Sequence, residues 1–128
     1  MKIPIPTEAA EQACLFEWAE LMSNKYPCLH RMYAIPNGGS RHILEAVNLK
    51  KAGVKKGVPD IFLPTAQKGF HGLFIEMKRQ KGSVESKEQK DYKEYLLAEG
   101  YQVKTCMSWF VARREIEEYL DIPIKSIW

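Results

Sequence analysis

Two short apolar segments in the middle of the chain restrict the possible folds more than any other feature. Residues 58–64 read VPDIFLP and residues 73–78 read LFIEMK, and both are rich in the β-branched and aromatic residues typical of strands. Prolines bound the first segment, and the residues between the two include glycines typical of a turn. The sequence therefore predicts an antiparallel β-hairpin here.

The charged residues of this hairpin are predicted to share one face. Because side chains alternate across a strand, Glu76 and Lys78 point the same way, and Asp60 shares a face with Phe62 on the partner strand. The opposite face is apolar and consists of Leu73, Ile75 and Met77 with Ile61 and Leu63. A suitable hairpin register would place Asp60 beside Glu76 and Lys78.

The rest of the sequence predicts four helices and two further strands. Thr7 is a suitable N-cap for the first helix, which should end before Pro27, and Gly53 should end the second. The predicted helices are residues 7–26, 41–52, 87–100 and 109–120, and the further strands are residues 31–35 and 101–107. The order α-β-α-β-β-α-β-α predicts an α/β fold with a mixed β-sheet flanked by helices. The length of 128 residues suits a single domain over residues 1–128.

Two carboxylates and a lysine on adjoining strands suit metal-assisted phosphodiester hydrolysis. Neighbouring carboxylates repel each other unless a cation compensates, and magnesium or manganese prefers carboxylate oxygens. A lysine beside them can orient or deprotonate a water, or stabilise charge on an attacked phosphate. Each fragment alone has a simpler interpretation, since Glu-x-Lys is commonly a solvent-facing pair and Pro-Asp a common turn dipeptide. The combination of Asp60, Glu76 and Lys78 in this context favours the nuclease interpretation.

Charge and cysteine content narrow the class of protein further. Residues 41–56 and 78–93 are rich in Lys and Arg, which suits a polyanionic partner, although charge alone favours a solvated lysine-rich face. The three cysteines form no Cys-x-x-Cys pair, so a disulfide framework or a zinc knuckle is disfavoured, and Cys14 and Cys106 are expected in the core. No apolar run approaches the ~20 residues of a membrane span, and we expect a cytoplasmic protein without membrane contact.

The motifs GVPDIFL and GLFIEMK together resemble the PD-(D/E)xK motif of the VRR-NUC domain, the virus-type replication-repair nucleases. Further matches are Glu8 and Gln12 ahead of Trp18, AIPNGG at residues 34–39, the pair Glu88-Gln89, and GYQVKTC at residues 100–106. The resemblance runs from about Glu8 to Leu120. It implies a restriction-endonuclease-like fold and a DNA endonuclease of the short stand-alone type found in bacteria and phage-infected cells.

The resemblance also implies the residues of a Mg²⁺ or Mn²⁺ site. Asp60 and Glu76 would bind the ion with the backbone carbonyl of Met77, and Lys78 would be the catalytic lysine. Gln89 would line the site from the next helix, although the loop before it is slightly longer than the family pattern.

An acid on the first helix completes the metal site in family members, and two residues compete for this role. Glu8 fits by its spacing from Trp18, and Glu11 is the neighbour that could be mistaken for it. Both also have a simpler interpretation, because acids in the first turn of a helix compensate its dipole.

Five residues are candidates for contact with DNA. Asn37 and Arg41 belong to a loop, and Lys55, Lys56 and Arg79 flank the motif segments. The chain lacks a helix-turn-helix or zinc-finger signature, which favours recognition of DNA shape and backbone over base sequence.

A symmetric homodimer acting on branched DNA is the expected form of the active protein. Stand-alone members of the resembling family are associated with resolution of four-way (Holliday) junctions in DNA repair. The tail offers surplus apolar surface for a two-fold interface in Ile122, Ile124, Ile127 and Trp128, unless it packs on its own domain. The alternatives are a flap or non-specific DNA nuclease, and a catalytically inactive nucleic-acid-binding module of the same fold.

Overall fold

The computed structural model describes residues 3–36, 43–82 and 84–123, and it confirms the predicted order of elements. Thr7 caps the first helix as predicted, because its side-chain oxygen accepts a hydrogen bond from the N–H of Ala10 at 3.0 Å. The helices are α1 (Glu8–Met22), α2 (Ile43–Lys51), α3 (Lys87–Ala98) and α4 (Trp109–Leu120). The strands are β1 (Tyr33–Ala34), β2 (Ile61–Leu63), β3 (Leu73–Met77) and β4 (Gln102–Cys106).

The strand predicted at residues 31–35 is shorter than expected, because a 3-10 helix takes up its beginning. This helix spans Pro27–Arg31 and starts with Pro27, whose missing N–H is no loss in the first turn. Only Tyr33–Ala34 remains as β1.

The four strands form one mixed sheet in the order β1-β2-β3-β4. β1, β2 and β3 pair antiparallel, and β4 runs parallel to β3. Within the hairpin Ile61 pairs with Ile75, and Phe62 pairs with Phe74, on which its ring stacks at 4.2 Å between centroids. The predicted hairpin is therefore confirmed, including the alternation of faces.

Helices cover both faces of this sheet. The apolar face predicted for the hairpin forms the main core with α1 and α4, and its fully buried side chains include Leu15, Ile61, Leu63, Leu73, Ile75, Met77 and Ile116. On the other face, Phe74 and Val103 pack with Leu96 of α3. Because both faces are covered, all five residues of β3 are buried, including Glu76.

Helix α2 differs from the other helices in its isolation. Within the described ranges, no other helix or strand has a Cα atom within 8 Å of α2. Leu44 is 64% exposed and Val47 is 44% exposed, three residues apart on this helix. α2 therefore presents two apolar side chains that are in large part exposed to solvent.

Two expectations about burial are wrong. Cys14 is exposed, because it lies outside the face of α1 that buries Leu15 and Trp18. Cys106 is buried as predicted. Ile122 is only 7% exposed and its N–H donates to the carbonyl of Glu117 at 2.9 Å, so it belongs to its own domain and not to a free apolar surface. The other apolar tail residues, Ile124, Ile127 and Trp128, lie outside the described residues. No described helix has the length and apolar character needed to cross a bilayer.

Candidate active site

The hairpin brings Asp60 to the edge of β3, next to Glu76. Asp60 directly precedes β2, and the pairing of Ile61 with Ile75 sets it opposite Glu76 in register. Its Oδ2 accepts a hydrogen bond from the N–H of Met77 at 2.7 Å, and its carbonyl accepts one from the N–H of Ile35 at 2.7 Å. The Asp60 carboxylate is therefore held against β3 by the Met77 N–H, and the backbone of Asp60 is held by Ile35.

The environment of Glu76 disfavours the charged form of its carboxyl group. Its residue is only 5% exposed, and the pKa of its carboxyl is raised from 4.5 to about 9, chiefly by burial and also by the hydrogen bond and charge repulsion of Asp60. The charge of Glu8 also raises this pKa, whereas the charge of Lys78 lowers it. Without a cation, the Asp60–Glu76 pair holds a proton that a divalent ion can replace.

Lys78 is held at the same face by the first turn of α3. The residue is 9% exposed, and its Nζ donates to Oε1 of Gln89 at 2.7 Å. The same oxygen accepts the N–H of Ser86 at 2.8 Å, while the N–H of Gln89 donates to Oγ of Ser86 at 3.1 Å. This capping box fixes the Gln89 amide, and through it the ammonium group of Lys78.

Gly57 brings the segment that carries Asp60 against the same turn of α3. Its φ is +94°, and a Cβ built there would lie 2.5 Å from the carbonyl oxygen of Glu88. Lys56 adds an exposed ion pair to Glu88 at 3.9 Å. Neither Gly57 nor Ser86 was among the predicted site residues. Their signals were the glycine of G-V-P-D and the Ser-x-x-Gln capping pattern before α3.

The structure separates Glu8 from Glu11. Oε2 of Glu8 accepts the N–H of Arg79 at 3.3 Å, just beyond Lys78, and its charge acts on Glu76. Glu11 is 5% exposed, and its Oε1 accepts the N–H of Trp109 at 2.9 Å, at the start of α4. Glu11 therefore compensates the dipole of a neighbouring helix, and Glu8 is the α1 acid on the side of the carboxylate pair.

Comparison with known proteins relates this chain to one family of nucleases. The family model of the VRR-NUC domain matches residues 7–109, which contain every residue of the site described above. The chain belongs to the VRR-NUC family. A solved structure named VRR_NUC domain protein is similar to it with a TM-score of 0.78 and 27% sequence identity, covering 94% of this chain and 93% of that one. Comparison with curated proteins gives no match.

VRR-NUC is a nuclease domain of the PD-(D/E)xK type, and nucleases of this type generally use divalent metals. Among residues 3–36, 43–82 and 84–123, no group of three or more His, Cys, Asp or Glu side chains is arranged to hold a metal ion. The side-chain donors at the site are the carboxylates of Asp60 and Glu76. That set fits magnesium, which commonly binds one or two protein carboxylates and keeps several waters. The side chain of Met77 is buried in the core, so Met77 could contribute to a metal site only through its backbone carbonyl oxygen.

The predicted DNA contacts of this VRR-NUC domain are only partly described. The structure describes three of them, and all three are exposed: Lys55, Lys56 and Arg79. Lys55 and Lys56 directly precede Gly57, which packs against the first turn of α3. Asn37 and Arg41 lie outside the described residues. The described cations thus flank the acidic pair, as a polyanionic substrate requires.

Proposed function

We propose that this chain is a Mg²⁺- or Mn²⁺-dependent DNA endonuclease that hydrolyses phosphodiester bonds at Asp60, Glu76 and Lys78. The observation that carries the proposal is the pair of carboxylates formed by buried Glu76 and half-buried Asp60, in which the pKa of Glu76 is raised to about 9, with the buried Lys78 on the same face. Such a pair destabilises the fold unless a cation or a proton compensates its charge. The presence of this carboxylate pair beside a buried lysine, despite its cost to the fold, supports a catalytic role.

Each residue has a separate task in this proposal. Asp60 and Glu76 hold the ion together with the carbonyl of Met77, and Glu8 completes the acidic side of the site. A bound divalent ion polarises the phosphate and lowers the pKa of its water. Lys78, oriented by Gln89, positions the attacking water or stabilises charge on the phosphate.

Cleavage of supercoiled plasmid tests the assignment. We expect nicking with Mg²⁺ or Mn²⁺, and loss of nicking in Asp60→Asn, Glu76→Gln and Lys78→Ala proteins whose circular dichroism is unchanged. Calorimetry should show loss of metal binding in the two acid variants and retention in Lys78→Ala. Lys104→Ala is the matched control, because Lys104 is a half-exposed β4 lysine paired with Glu115 at 3.5 Å. Equal cleavage in EDTA, or full activity of Lys78→Ala, would show that the assignment is wrong.

We further propose that the enzyme acts as a symmetric homodimer on four-way junctions. The buried position of Ile122 removes one residue of the tail from the expected interface. The exposed Leu44 and Val47 of α2 now provide the best support among the described residues, because this helix lies apart from the rest of the domain. Two active sites related by a two-fold axis suit a substrate that has the same symmetry.

Light scattering and matched DNA substrates test this finer proposal. We expect a dimer at micromolar concentration and faster cleavage of a junction than of a flap or a linear duplex. The double change Leu44→Ser with Val47→Ser should shift the protein towards monomer, whereas Leu21→Ser should not, although Leu21 is 74% exposed on α1. A monomeric parent protein, or equal rates on junction and linear duplex, would refute the junction proposal and leave a flap or non-specific nuclease.

A further inference from the structure

An open groove lies directly beside the acidic site. It has a volume of about 490 Å³, and its lining consists of an apolar wall, Ile3, Pro4 and Ile5, and a cationic wall, Arg79 and Lys81. Its volume is in the range of ordinary ligand sites.

The position of this groove ties it to the active site. Arg79 follows Lys78 in sequence, and the N–H of Arg79 donates to Glu8. The apolar wall belongs to the segment that leads into α1 and Glu8. The groove therefore adjoins the residues that directly follow Lys78 and those that lead into Glu8.

The two walls of the groove differ in chemistry. One carries two cations, which suit the phosphates of a nucleic-acid strand. The other is apolar, and its Ile3 side chain is 91% exposed. Isoleucine and proline are among the residues that proteins insert between base steps to unstack them. In an intact duplex the bases are stacked inside, so a groove lined by both apolar side chains and phosphate-binding cations fits a strand whose bases are splayed out.

We propose that this groove is a subsite for unpaired DNA nucleotides next to the scissile phosphate. Ile3 and Ile5 contact the unstacked bases, and Arg79 and Lys81 bind the phosphates of the same strand. The inference rests on the nuclease function proposed above, and it gives a physical reason for a preference for branched over linear DNA. Selectivity then arises because only unpaired or easily frayed nucleotides can occupy both walls together.

Cleavage of two substrates with the same labelled strand tests the apolar wall. One substrate is a fully paired duplex, and the other has unpaired nucleotides beside the cleavage position. We expect the double change Ile3→Ser with Ile5→Ser to lower kcat/KM on the unpaired substrate by about tenfold, as loss of a base contact does, and to leave the duplex rate within twofold. Leu21→Ser is the control, since it removes an apolar side chain that is 74% exposed from the distant end of α1.

A second measurement reports the unstacking directly. In the Lys78→Ala background with Mg²⁺, 2-aminopurine placed beside the scissile phosphate should brighten on binding, and the two isoleucine changes should abolish the increase. Changing Arg79 and Lys81 to alanine should weaken binding to both substrates and reduce the slope of log affinity against log salt by about two.

The outcomes distinguish the two levels of proposal. A parent enzyme that cuts neither substrate with Mg²⁺ or Mn²⁺ would overturn the nuclease function itself. An active parent whose isoleucine variant keeps the parent's rates on both substrates and the same 2-aminopurine signal would overturn only the groove inference.

Discussion

Replacement of Gly57 by alanine is the sharpest test of how the site is assembled. A Cβ at Gly57 would lie 2.5 Å from the carbonyl oxygen of Glu88 and 2.6 Å from its carbonyl carbon, both in the first turn of α3. To reach ordinary contact, the backbone of that turn or of the Gly57 segment must move by about 1 Å. Because Gln89 follows Glu88, this movement pulls the amide that holds Lys78 out of position.

The expected loss of unfolding free energy in Gly57→Ala has two parts, and Gly53→Ala measures one of them alone. Both glycines have positive φ, +94° at Gly57 and +100° at Gly53, and a non-glycine residue in such a conformation costs about 1–3 kcal/mol. No atom lies within 4 Å of a Cβ at Gly53, so Gly53→Ala carries this backbone cost alone. The contact with Glu88 should add about 1–3 kcal/mol of overpacking in Gly57→Ala.

Chemical denaturation and plasmid cleavage measure the two parts separately. We expect Gly57→Ala to lower the free energy of unfolding more than Gly53→Ala, and to lower kcat about 100-fold where both variants are folded, as a displacement near 1 Å in a catalytic group does. Gly53→Ala should keep the parent's kcat. Equal destabilisation of the two variants would refute the close contact, and full activity of a destabilised Gly57→Ala would refute the role of α3 in positioning Lys78.

Two further predictions concern the acids of α1 and the cysteines. Glu11→Gln should lower the free energy of unfolding by about 1–2 kcal/mol, since it removes the charge from a buried hydrogen bond at the start of α4, and should spare the specific activity of the folded protein. Glu8→Gln should change stability by less than about 0.5 kcal/mol and abolish cleavage, and the reverse pattern would exchange the two roles. Burial raises the pKa of Cys106 to about 12, so its thiolate is scarce at pH 8. A thiol reagent should therefore label exposed Cys14 and half-buried Cys28 in the native protein but Cys106 only after unfolding, and native-state labelling of all three would contradict this.

The sequence was sufficient for the hairpin because two independent patterns agreed there. Alternation in β3 required Glu76 and Lys78 to share a face, and the apolar alternation of β2 excluded registers shifted by one residue. Among the registers that remained, the structure has the one that pairs Ile61 with Ile75. The position of Asp60 beside Glu76 follows from that register. Burial of the charged face was not predictable in the same way, since it depends on α3, which returns to the sheet from later in the chain.

Contacts between distant segments explain what the sequence could not decide. Glu8 and Glu11 are neighbours on a helical surface, about 60° apart by the 3.6-residue repeat, so spacing alone does not separate them. The amide of Trp109 makes the difference, and it belongs to α4, far along the chain from Glu11. Cys14 was misplaced for a related reason, because a small apolar residue at the border of a helix face fits either environment.

The isolation of α2 divides the molecule into regions of unequal local stability. Ala34 pairs with Ile61, so the chain leaves the sheet after β1 and returns to the adjacent position, with α2 lying between. Among the described residues, opening of α2 alone breaks its internal hydrogen bonds but no pairing within the sheet, and it leaves the packing of Gly57 on α3 in place. In native-state hydrogen exchange, the amides of α2 should therefore exchange through small local openings, while those of β3 should wait for global unfolding. The same separation makes α2 itself, which ends before Gly53 and Gly57, a place where residues can be inserted or removed with little effect on the Asp60–Glu76 pair.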